Sequence, residues 1–396
     1  MAVASPQAPK PVPDEALAAQ LADGRALTIS EICAESGLSR STVVLALARL
    51  RKAGSVREHS PESTSRGRPA RRWSIPAAPK MMAVVVPAAH GTVAGVADAQ
   101  GEIRSWVVAD DSGSSTMTRD QAVLGLVDEA LLRAGLTADD VGLGVIGLPG
   151  PSQFPATGRP ELAELSHLDR FRDWDGQPPS AVLARHLDCP VFSENDANLA
   201  ALGEALYGAG AGLDAVLFIG LVHGTGSGLV LNGRVHRGRS HLAGEVGHLH
   251  VSDDGRLCEC GARGCFWQTL SIPALLEELS AVRGRKVTIE DVSEGVARDE
   301  LDVVRALRGF GEALGRRLAD AVVFLDPDVI VLDAALRNAA DVVAEGVRVA
   351  VRRCAPPAMV RGLPIVPGQL GNHAHIHGAL GLARTEMLWS TSPAAP

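Results

Sequence analysis

The chain has 396 residues, of which 46% are hydrophobic and 21% charged, so it is long enough for two or three globular domains with sizeable cores. It has no apolar stretch near the roughly 18 residues that a membrane-spanning helix requires, and no charged start followed by an apolar run, so we expect a cytoplasmic protein without a membrane partner. The 13 aromatic residues are too few for a surface that stacks the bases of single-stranded nucleic acids.

The net charge of −8 is unevenly distributed along the chain. Residues 1–76 carry 11 Lys and Arg against 7 Asp and Glu, and within them residues 38–76 carry 9 against 2. Residues 77–396 carry 27 against 39. A short basic segment joined to an acidic body predicts a nucleic-acid-binding module attached to a domain of another kind.

A Pro- and Ala-rich arm, residues 1–13, precedes three predicted helices, and we expect this arm to be disordered. The first helix is predicted over residues 14–23. The second begins at Thr28, which has the capping-box spacing from Glu31. Its apolar face consists of Ile29, Ile32 and Cys33.

The third predicted helix follows a short turn at Gly37 and ends before Gly54. Its apolar stripe at helical spacing consists of Val43, Val44, Leu47 and Leu50. Two helices joined by a Gly-containing turn are typical of a helix-turn-helix. The following segment predicts two short strands around a basic loop, so residues 14–76 are interpreted as a winged helix-turn-helix DNA-binding domain.

Two sets of residues in this domain are expected to contact DNA. The base-reading face of the third helix is predicted to contain Arg40, Ser41, Thr42, Ala46 and Arg49. The wing arginines expected to reach phosphates or a narrow minor groove are Arg66, Arg68, Arg71 and Arg72. The alternative is a helical hairpin with a solvated basic tail, but the turn, the amphipathic helix and the local charge together favour DNA binding.

From Met81 onward, apolar β-type runs alternate with helical segments, which predicts an α/β body over residues 80–390. GLPGP, residues 147–151, predicts a rigid turn after a strand. ENDANLA places Asn195 and Asp196 between a strand and a helix, where the carboxylate could hold a ligand hydroxyl or cap the helix. HGTGSG, residues 223–228, could let backbone N–H groups approach a phosphate, or could form a plain hairpin.

Three cysteines are concentrated in CECGARGC, as Cys258, Cys260 and Cys265, and His248 precedes them in GEVGH. In a reducing compartment such clustering indicates a metal site more than disulfides. Three thiolates and one imidazole make the closed four-ligand set of a structural zinc site, with no position left for a catalytic water. His250 is the alternative imidazole ligand. Free buried cysteines would have no reason to cluster in this way.

Taken together and in this order, these motifs resemble the ROK family, a group of bacterial repressors and sugar kinases with an actin-like, ribonuclease H-like fold. The endings DPDVIVLD and GNHAHIHGAL extend the resemblance to nearly the whole chain. It implies a two-lobed body, with one lobe near 80–195 plus the C-terminal helix and the other near 196–367. It also implies a set of sugar-hydroxyl contacts, with Asp196 in the position of the kinases' base: Asn195, Asp196, Glu245 and His248.

Two departures from the family's kinases concern the nucleotide site. Val86, Ala88 and His90 stand where the resemblance implies the Asp, Gly and Thr of a phosphate-binding D-x-G-x-T motif. Asp333-Ala334 replaces a glycine pair that lies against the nucleotide in the kinases. Because phosphoryl transfer depends on positioned phosphates and neutralised charge, these changes predict that the chain is not an enzyme and that Asp196 serves as a hydroxyl acceptor.

Two further stretches have competing interpretations. Phe266-Trp267 follows the last clustered cysteine where the kinases have Leu-Glu, and Trp267 is expected either to stack on a pyranose or to pack beneath the zinc loop. HAHIH, residues 373–377, is interpreted as a polar strand or loop face. We do not assign it a second metal site, because no carboxylate or cysteine accompanies it.

The sequence therefore predicts a sugar-responsive transcriptional repressor with a structural zinc ion. Its expected partners are operator DNA and a sugar or sugar-phosphate effector. Because two half-sites require two DNA-binding modules, we expect a homodimer or homotetramer. The alternative is an ATP-dependent sugar kinase that carries a DNA-binding domain.

Overall fold

The computed structural model describes residues 17, 21, 25–52, 56–59, 71–74, 81–88, 91–98, 101–109, 119–148, 174, 177–221, 226–239, 241–258, 260–334 and 338–389. The chain divides into two compact units, Met1–Pro79 with Ala383–Pro396, and Lys80–Leu382. The arm at 1–13, the wing loop with Arg66 and Arg68, and His90 lie outside the described residues. Within the described ranges, no helix combines the length and apolar character that crossing a membrane requires.

The first unit contains the predicted pair of helices, α1 (Ile29–Ser36) and α2 (Arg40–Lys52). The predicted capping box at the start of α1 is confirmed. The Thr28 hydroxyl accepts the N–H of Glu31 at 3.2 Å, and the Glu31 carboxylate accepts the N–H of Thr28 at 2.6 Å. Gly37 ends α1 with a φ of 68°, a left-handed conformation that suits glycine.

Three short strands complete this unit: β1 (Leu27–Thr28), β2 (Arg57–His59) and β3 (Arg72–Ser74). They form an antiparallel sheet in the order β1-β3-β2, with β2 and β3 as the two predicted wing strands. Of the helix predicted over 14–23, Leu17 and Leu21 are described, and both are helical and fully buried. The unit is therefore the predicted winged helix-turn-helix.

The apolar stripe of α2 differs from the prediction at two positions. Val44, predicted to be buried, is 43% exposed, whereas Ala46, predicted to face DNA, is fully buried. Residues of an α-helix are about 100° apart, so a stripe centred on Val43 continues through 46, 47 and 50 and leaves position 44 to one side.

The body contains two five-stranded sheets with the same topology. The first, in the order β6-β5-β4-β7-β8, consists of β4 (Met81–Ala88), β5 (Gly91–Asp98), β6 (Ile103–Ala109), β7 (Val141–Leu148) and β8 (Val191–Asn195). The second, in the order β11-β10-β9-β12-β13, consists of β9 (Ala215–Gly220), β10 (Gly226–Leu231), β11 (Arg234–Val235), β12 (Val329–Leu332) and β13 (Ile365–Pro367).

In each sheet the first strand in the chain is central. The next two strands follow it as an antiparallel meander, and the last two join its other side in parallel. This duplicated arrangement confirms the predicted two-lobed, actin-like body. The helices of the body are α3 (Arg119–Arg133), α4 (Pro179–Leu187), α5 (Asp196–Tyr207), α6 (Ile272–Arg283), α7 (Ile289–Ala297), α8 (Leu301–Leu325), α9 (Ala339–Cys354), α10 (Pro357–Val360) and α11 (Ala374–Trp389).

The interpretation of HAHIH as a strand or loop face is wrong. His373 ends a 3-10 turn, and the residues after it form the first turn of α11. His373 lies edge-on to Trp106 with ring centroids 4.5 Å apart, and His377 lies 5.4 Å from Tyr207. Histidines at alternate positions are compatible with a strand, but they are equally compatible with one turn of helix. Here the apolar residues that follow continue the helix α11.

Helix α5 contacts strands of both sheets and packs closely against α11. A Cβ atom on Gly378 would overlap the carbonyl oxygen of Leu199, and one on Gly203 would overlap the carbonyl oxygen of Ala374. The two backbones can approach this closely only because both contact positions lack side chains. The position of α5 matters because its first turn carries Asp196.

A buried carboxylate reinforces the other end of α5. Glu204 is 1% exposed and accepts backbone N–H groups from Ala209 at 2.9 Å, Gln369 at 3.0 Å and Leu370 at 2.8 Å. Three donors satisfy this carboxylate, so it is buried with its hydrogen-bonding capacity used. The loop that leads into α11 is thereby attached to the end of α5.

We predict that Gly378→Ala destabilises the body. The new methyl group overlaps a backbone oxygen that cannot rotate away, and overpacking of this kind costs about 1–3 kcal/mol or more. Gly309→Ala is the matched control, because Gly309 lies within α8 with no neighbouring atom near the position of an added Cβ. That change should be neutral or stabilise by roughly 0.5–1 kcal/mol. Thermal unfolding of the variants measures both, and equal effects would contradict the packing described here.

Candidate functional site

The turn from β8 to α5 carries the predicted pair Asn195 and Asp196. Asn195 is buried and caps α5, since its side-chain oxygen accepts the N–H of Asn198 at 2.9 Å. The Asp196 carboxylate accepts the N–H of Ala197 at 2.8 Å. Asn195, not Asp196, is therefore the helix cap. Both residues lie at the carboxyl end of a parallel strand, where open α/β sheets bind ligands.

Glu194, beside this pair, forms a buried ion pair that the sequence analysis did not identify. One oxygen of its carboxylate accepts two N–H groups of Arg237, at 2.7 and 2.6 Å. The other oxygen accepts the N–H of Asn195 at 2.8 Å and the side-chain amide of Asn198 at 3.0 Å. The pair joins the β8–α5 turn to the segment that follows β11. Residues 43 positions apart give no sequence signal for such a pair.

His241 follows Arg237 in this segment and has unusual surroundings. Its φ is 59°, a left-handed conformation that is uncommon for residues other than glycine. Burial, with an additional effect from the charge of Arg237, lowers the pKa of its imidazole below the ordinary value, although Glu194 acts in the opposite direction. Among the described residues, its buried Nδ1 has no hydrogen-bond partner.

Ser227, in β10, holds the turn that leads to Glu245 and His248. Its hydroxyl donates to the carbonyl oxygen of Gly244 and accepts the N–H of Val246 at 3.2 Å. A 3-10 turn, Val246–His248, follows. The Nε2 atom of His248 lies 4.0 Å from the Glu245 carboxylate, so one side of the ring faces an acidic group.

The other nitrogen of His248 faces the clustered cysteines. Its Nδ1 lies 3.6 Å from the Sγ of Cys258, and the Sγ atoms of Cys260 and Cys265 are 3.5 Å apart. The donor atoms of all four residues lie within 4.8 Å of one another, so the set could hold a metal ion. His250 is not part of this set; its Nε2 lies 3.3 Å from the Asp253 carboxylate.

The pKa values of Cys258 and Cys265 are shifted in opposite directions. Burial raises the pKa of Cys258, but hydrogen bonds from the backbone of Cys260 and from the Trp267 indole outweigh it, so the net shift is downward. Burial and the neighbouring thiols raise the pKa of Cys265 to about 12. Three adjacent thiolates repel one another, so complete ionisation requires a cation among them.

Trp267 contributes a hydrogen bond to the cluster. Its indole N–H donates to the Sγ of Cys258 at 3.1 Å. Of the two alternatives considered for this residue, packing against the cysteine loop is the one that the structure contains. Phe266, next to it, is fully buried in the core of the second lobe.

Two of the residues that differ from the kinase motifs, Val86 and Asp333, have definite roles in the fold. Val86 is buried in β4 and packs against Gly147, where an added Cβ would lie 2.9 Å from the valine. The Asp333 carboxylate lies at the end of β12 and accepts the N–H of Leu221 at 3.4 Å. Of the Gly-rich hairpin, Gly228 packs on α5, because a Cβ there would lie 2.5 Å from that of Ala201. This glycine therefore serves helix packing.

The predicted DNA contacts on the first unit are arranged around α2. Arg40 and Ser41 are exposed, whereas Thr42 and Arg49 are half-buried. Ser39, which precedes the helix, has its hydroxyl 2.9 Å from that of Ser41 and 2.8 Å from that of Thr42. These contacts order the first turn of the helix.

An ion-pair network joins the wing to α2. Glu58, in β2, accepts hydrogen bonds from Arg51 of α2, at 2.7 Å, and from Arg71 at the wing. The hydrogen bond from Arg51 has the largest effect on the pKa of Glu58 and lowers it, and the hydrogen bond from Arg71 lowers it further. Arg72 donates to the carbonyl oxygen of Ala26 at 2.6 Å. Two arginines predicted to contact DNA are thus also bonded within the domain.

The chain is similar to known repressors and to known sugar kinases. The family model described as "ROK family" matches residues 89–386. A xylose repressor of Bacillus spizizenii is 28% identical over 211 residues, which cover 53% of this chain and 54% of that protein. A glucokinase of Streptomyces coelicolor is 29% identical over 311 residues, which cover 74% of this chain and 93% of that protein.

Among solved structures, a ROK family transcriptional regulator, a homologue of the E. coli MLC protein, matches with a TM-score of 0.66 and 21% identity over 96% of both chains. That likeness shows a shared fold over nearly the whole of both chains. The chain spans about half the length of the xylose repressor that it matches. The family model covers three quarters of the chain, and the chain therefore belongs to the ROK family.

Proposed function

We propose that this protein is a sugar-responsive transcriptional repressor that binds operator DNA through its winged helix. The observation that carries the proposal is a winged helix-turn-helix on the same chain as a ROK body. The matched regulator structure spans 96% of this chain, whereas the glucokinase match covers 74% of it. The basic domain lies before residue 89, where the family model begins, and its charge suits recruitment to DNA.

The effector in this proposal is a sugar or sugar phosphate, bound by Asn195, Asp196, Glu245 and His248. Carboxylates and amides are suitable partners for the several hydroxyl groups of a sugar. The Glu194–Arg237 pair supports this assignment, because it ties the Asp196 turn to the segment that leads to Glu245. The same segment contains the buried Nδ1 of His241, which has no hydrogen-bond partner among the described residues. This atom is suited to a polar ligand.

The metal in the proposal is a structural zinc ion held by His248, Cys258, Cys260 and Cys265. Tetrahedral zinc, with bonds of about 2.3 Å to sulfur and 2.0–2.1 Å to nitrogen, requires S···S separations near 3.8 Å and S···N separations near 3.6 Å. One S···S pair, Cys260 and Cys265, is 3.5 Å apart, one S···N pair, Cys258 and His248, is 3.6 Å apart, and all four donor atoms lie within 4.8 Å of one another. The donor set therefore fits zinc. The ion would stabilise the loop and orient His248, whose Nε2 would remain available to a sugar hydroxyl.

Two features support the absence of ATP-dependent phosphorylation. Val86 supplies a buried methyl group where the kinase motif would require a carboxylate. Asp333 adds a negative charge at the end of β12, where triphosphate binding would require glycine or a cation. Under the proposal, Asp196 accepts a hydrogen bond from the sugar without transferring its proton.

Effector binding would act on DNA by linkage. A sugar that binds one arrangement of the lobes more tightly shifts the equilibrium toward that arrangement, typically with a coupling of about 1–3 kcal/mol. Two operator half-sites require two winged helices, so a homodimer or homotetramer is part of the proposal.

A sugar kinase is the second candidate function. The observation that favours it is the glucokinase match, which extends over 93% of that enzyme, with Asp196 at the carboxyl end of a parallel strand. A coupled assay for ADP formation with a panel of hexoses and Mg-ATP distinguishes the two functions. A thermal-shift screen of sugars and sugar phosphates identifies the effector, because a ligand stabilises the folded state to which it binds.

For the pocket, we predict that Asp196→Asn weakens effector binding roughly ten- to a hundredfold. A hydrogen bond to a charged acceptor contributes about 1.5–3 kcal/mol, and the amide replaces one acceptor oxygen with a donor. Calorimetric titration with the sugar that gives the largest thermal shift measures the change. Asp139→Asn is the control, because it also removes one negative charge. Asp139 precedes β7, which runs parallel to β8, so it lies at the opposite edge of the sheet from Asp196.

Under the kinase alternative the same variants behave differently. Sugar affinity would be largely retained in Asp196→Asn, and ADP formation by the parent protein would be abolished in it. Tighter sugar binding by the parent in the presence of Mg-ATP would contradict the loss of the nucleotide site.

For the metal, we predict about one zinc ion per chain in the parent protein and its loss in Cys260→Ser. A serine hydroxyl does not replace a thiolate in a structural zinc site. Cys354→Ser is the matched control, because Cys354 is also exposed but lies at the end of α9, outside the cluster. Elemental analysis measures the metal, and an equal zinc content in both variants would refute the assignment of the cluster.

A further inference from the structure

The outward face of α2 is apolar at its centre, a feature that the DNA-contact predictions did not include. Val44 is 43% exposed, Leu45 is 61% exposed, and Ala48 is also exposed. With the Ser41 hydroxyl at one end, these residues form a continuous strip on one side of the helix, because positions 41, 44, 45 and 48 lie within about 100° of one another.

The surroundings of this strip, residues 41, 44, 45 and 48, are basic. Arg40 and Arg51 lie on one flank of the helix and Arg49 on the other. Residues 38–76 as a whole carry nine Lys and Arg against two Asp and Glu. A DNA groove matches a strip bordered in this way, because it has phosphates on both sides and bases between them.

We propose that Val44 and Leu45 are specificity-determining residues that contact the 5-methyl groups of thymines in the major groove of the operator. This inference rests on the proposed DNA-binding function. Side chains at the centre of the strip have neither donors nor acceptors, so they cannot read bases by hydrogen bonding. The methyl group of thymine is the one apolar feature on the major-groove edges of the bases, and alkyl side chains are its complement.

The test uses full-length, zinc-loaded protein and a duplex that this protein enriches from a randomised DNA library. Each thymidine of that duplex is replaced, one at a time, by deoxyuridine, which lacks only the methyl group. At one or two positions in each half-site, we expect the replacement to weaken binding about fourfold, the effect of one methyl group removed from water. Fluorescence anisotropy at fixed salt measures the affinities.

Variants connect these positions to the helix. Val44→Ala and Leu45→Ala should bind the thymine duplex more weakly and lose the preference for thymine over uracil at one position each. Val349→Ala and Leu301→Ala are the matched controls, because these residues are 46% and 64% exposed on α9 and α8 of the body. Both controls should keep the parent's preference.

Several outcomes would overturn the proposal. A selected sequence without thymine in its half-sites would do so, as would equal binding of every uracil duplex or an unchanged preference in both α2 variants. Normal DNA binding by Leu45→Ala, with a changed assembly in sedimentation, would identify the strip as a protein interface. Failure of the parent to bind any duplex, even at low salt, would instead refute the DNA-binding function itself.

Discussion

The buried ion pair between Glu194 and Arg237 determines how the candidate pocket is assembled. The carboxylate receives four hydrogen bonds, two of them from the arginine, so its burial is compensated. Removing Arg237 would leave the buried Glu194 carboxylate without its charged partner, at a cost of about 3–5 kcal/mol. The pair therefore fixes the distance between the turn that carries Asp196 and the segment that leads to Glu245. These parts of the pocket are far apart in the chain.

Two other features hold the same region in place. The glycine contact between α5 and α11 positions the helix that begins at Asp196. The cluster of three cysteines and His248 orders the loop that follows Glu245, with one imidazole nitrogen toward the thiols and the other toward Glu245. In the proposed function, a sugar that contacts both Asp196 and His248 would bind two elements already ordered by other contacts, which reduces the entropy lost on binding.

In the winged helix, the basic residues have structural as well as electrostatic roles. Glu58 joins Arg51 of α2 to Arg71 of the wing, so the orientation of the wing is coupled to that of the helix. The exposed face of α2 has alkyl groups at its centre, with arginines along its flanks. Under the proposed function, general attraction to DNA and discrimination among sequences would belong to different residues of the same small domain.

The sequence by itself determined the features that depend on local spacing. The capping box at Thr28, the strand-to-helix turn at Asn195 and the donor set of three cysteines and His248 follow from short motifs, and the alternation of strands and helices predicted the α/β body. Which residues meet across the chain follows from the tertiary structure. The pairing of Glu194 with Arg237 and the contact of Trp267 with Cys258 depend on how separate segments pack, and no local pattern encodes those distances.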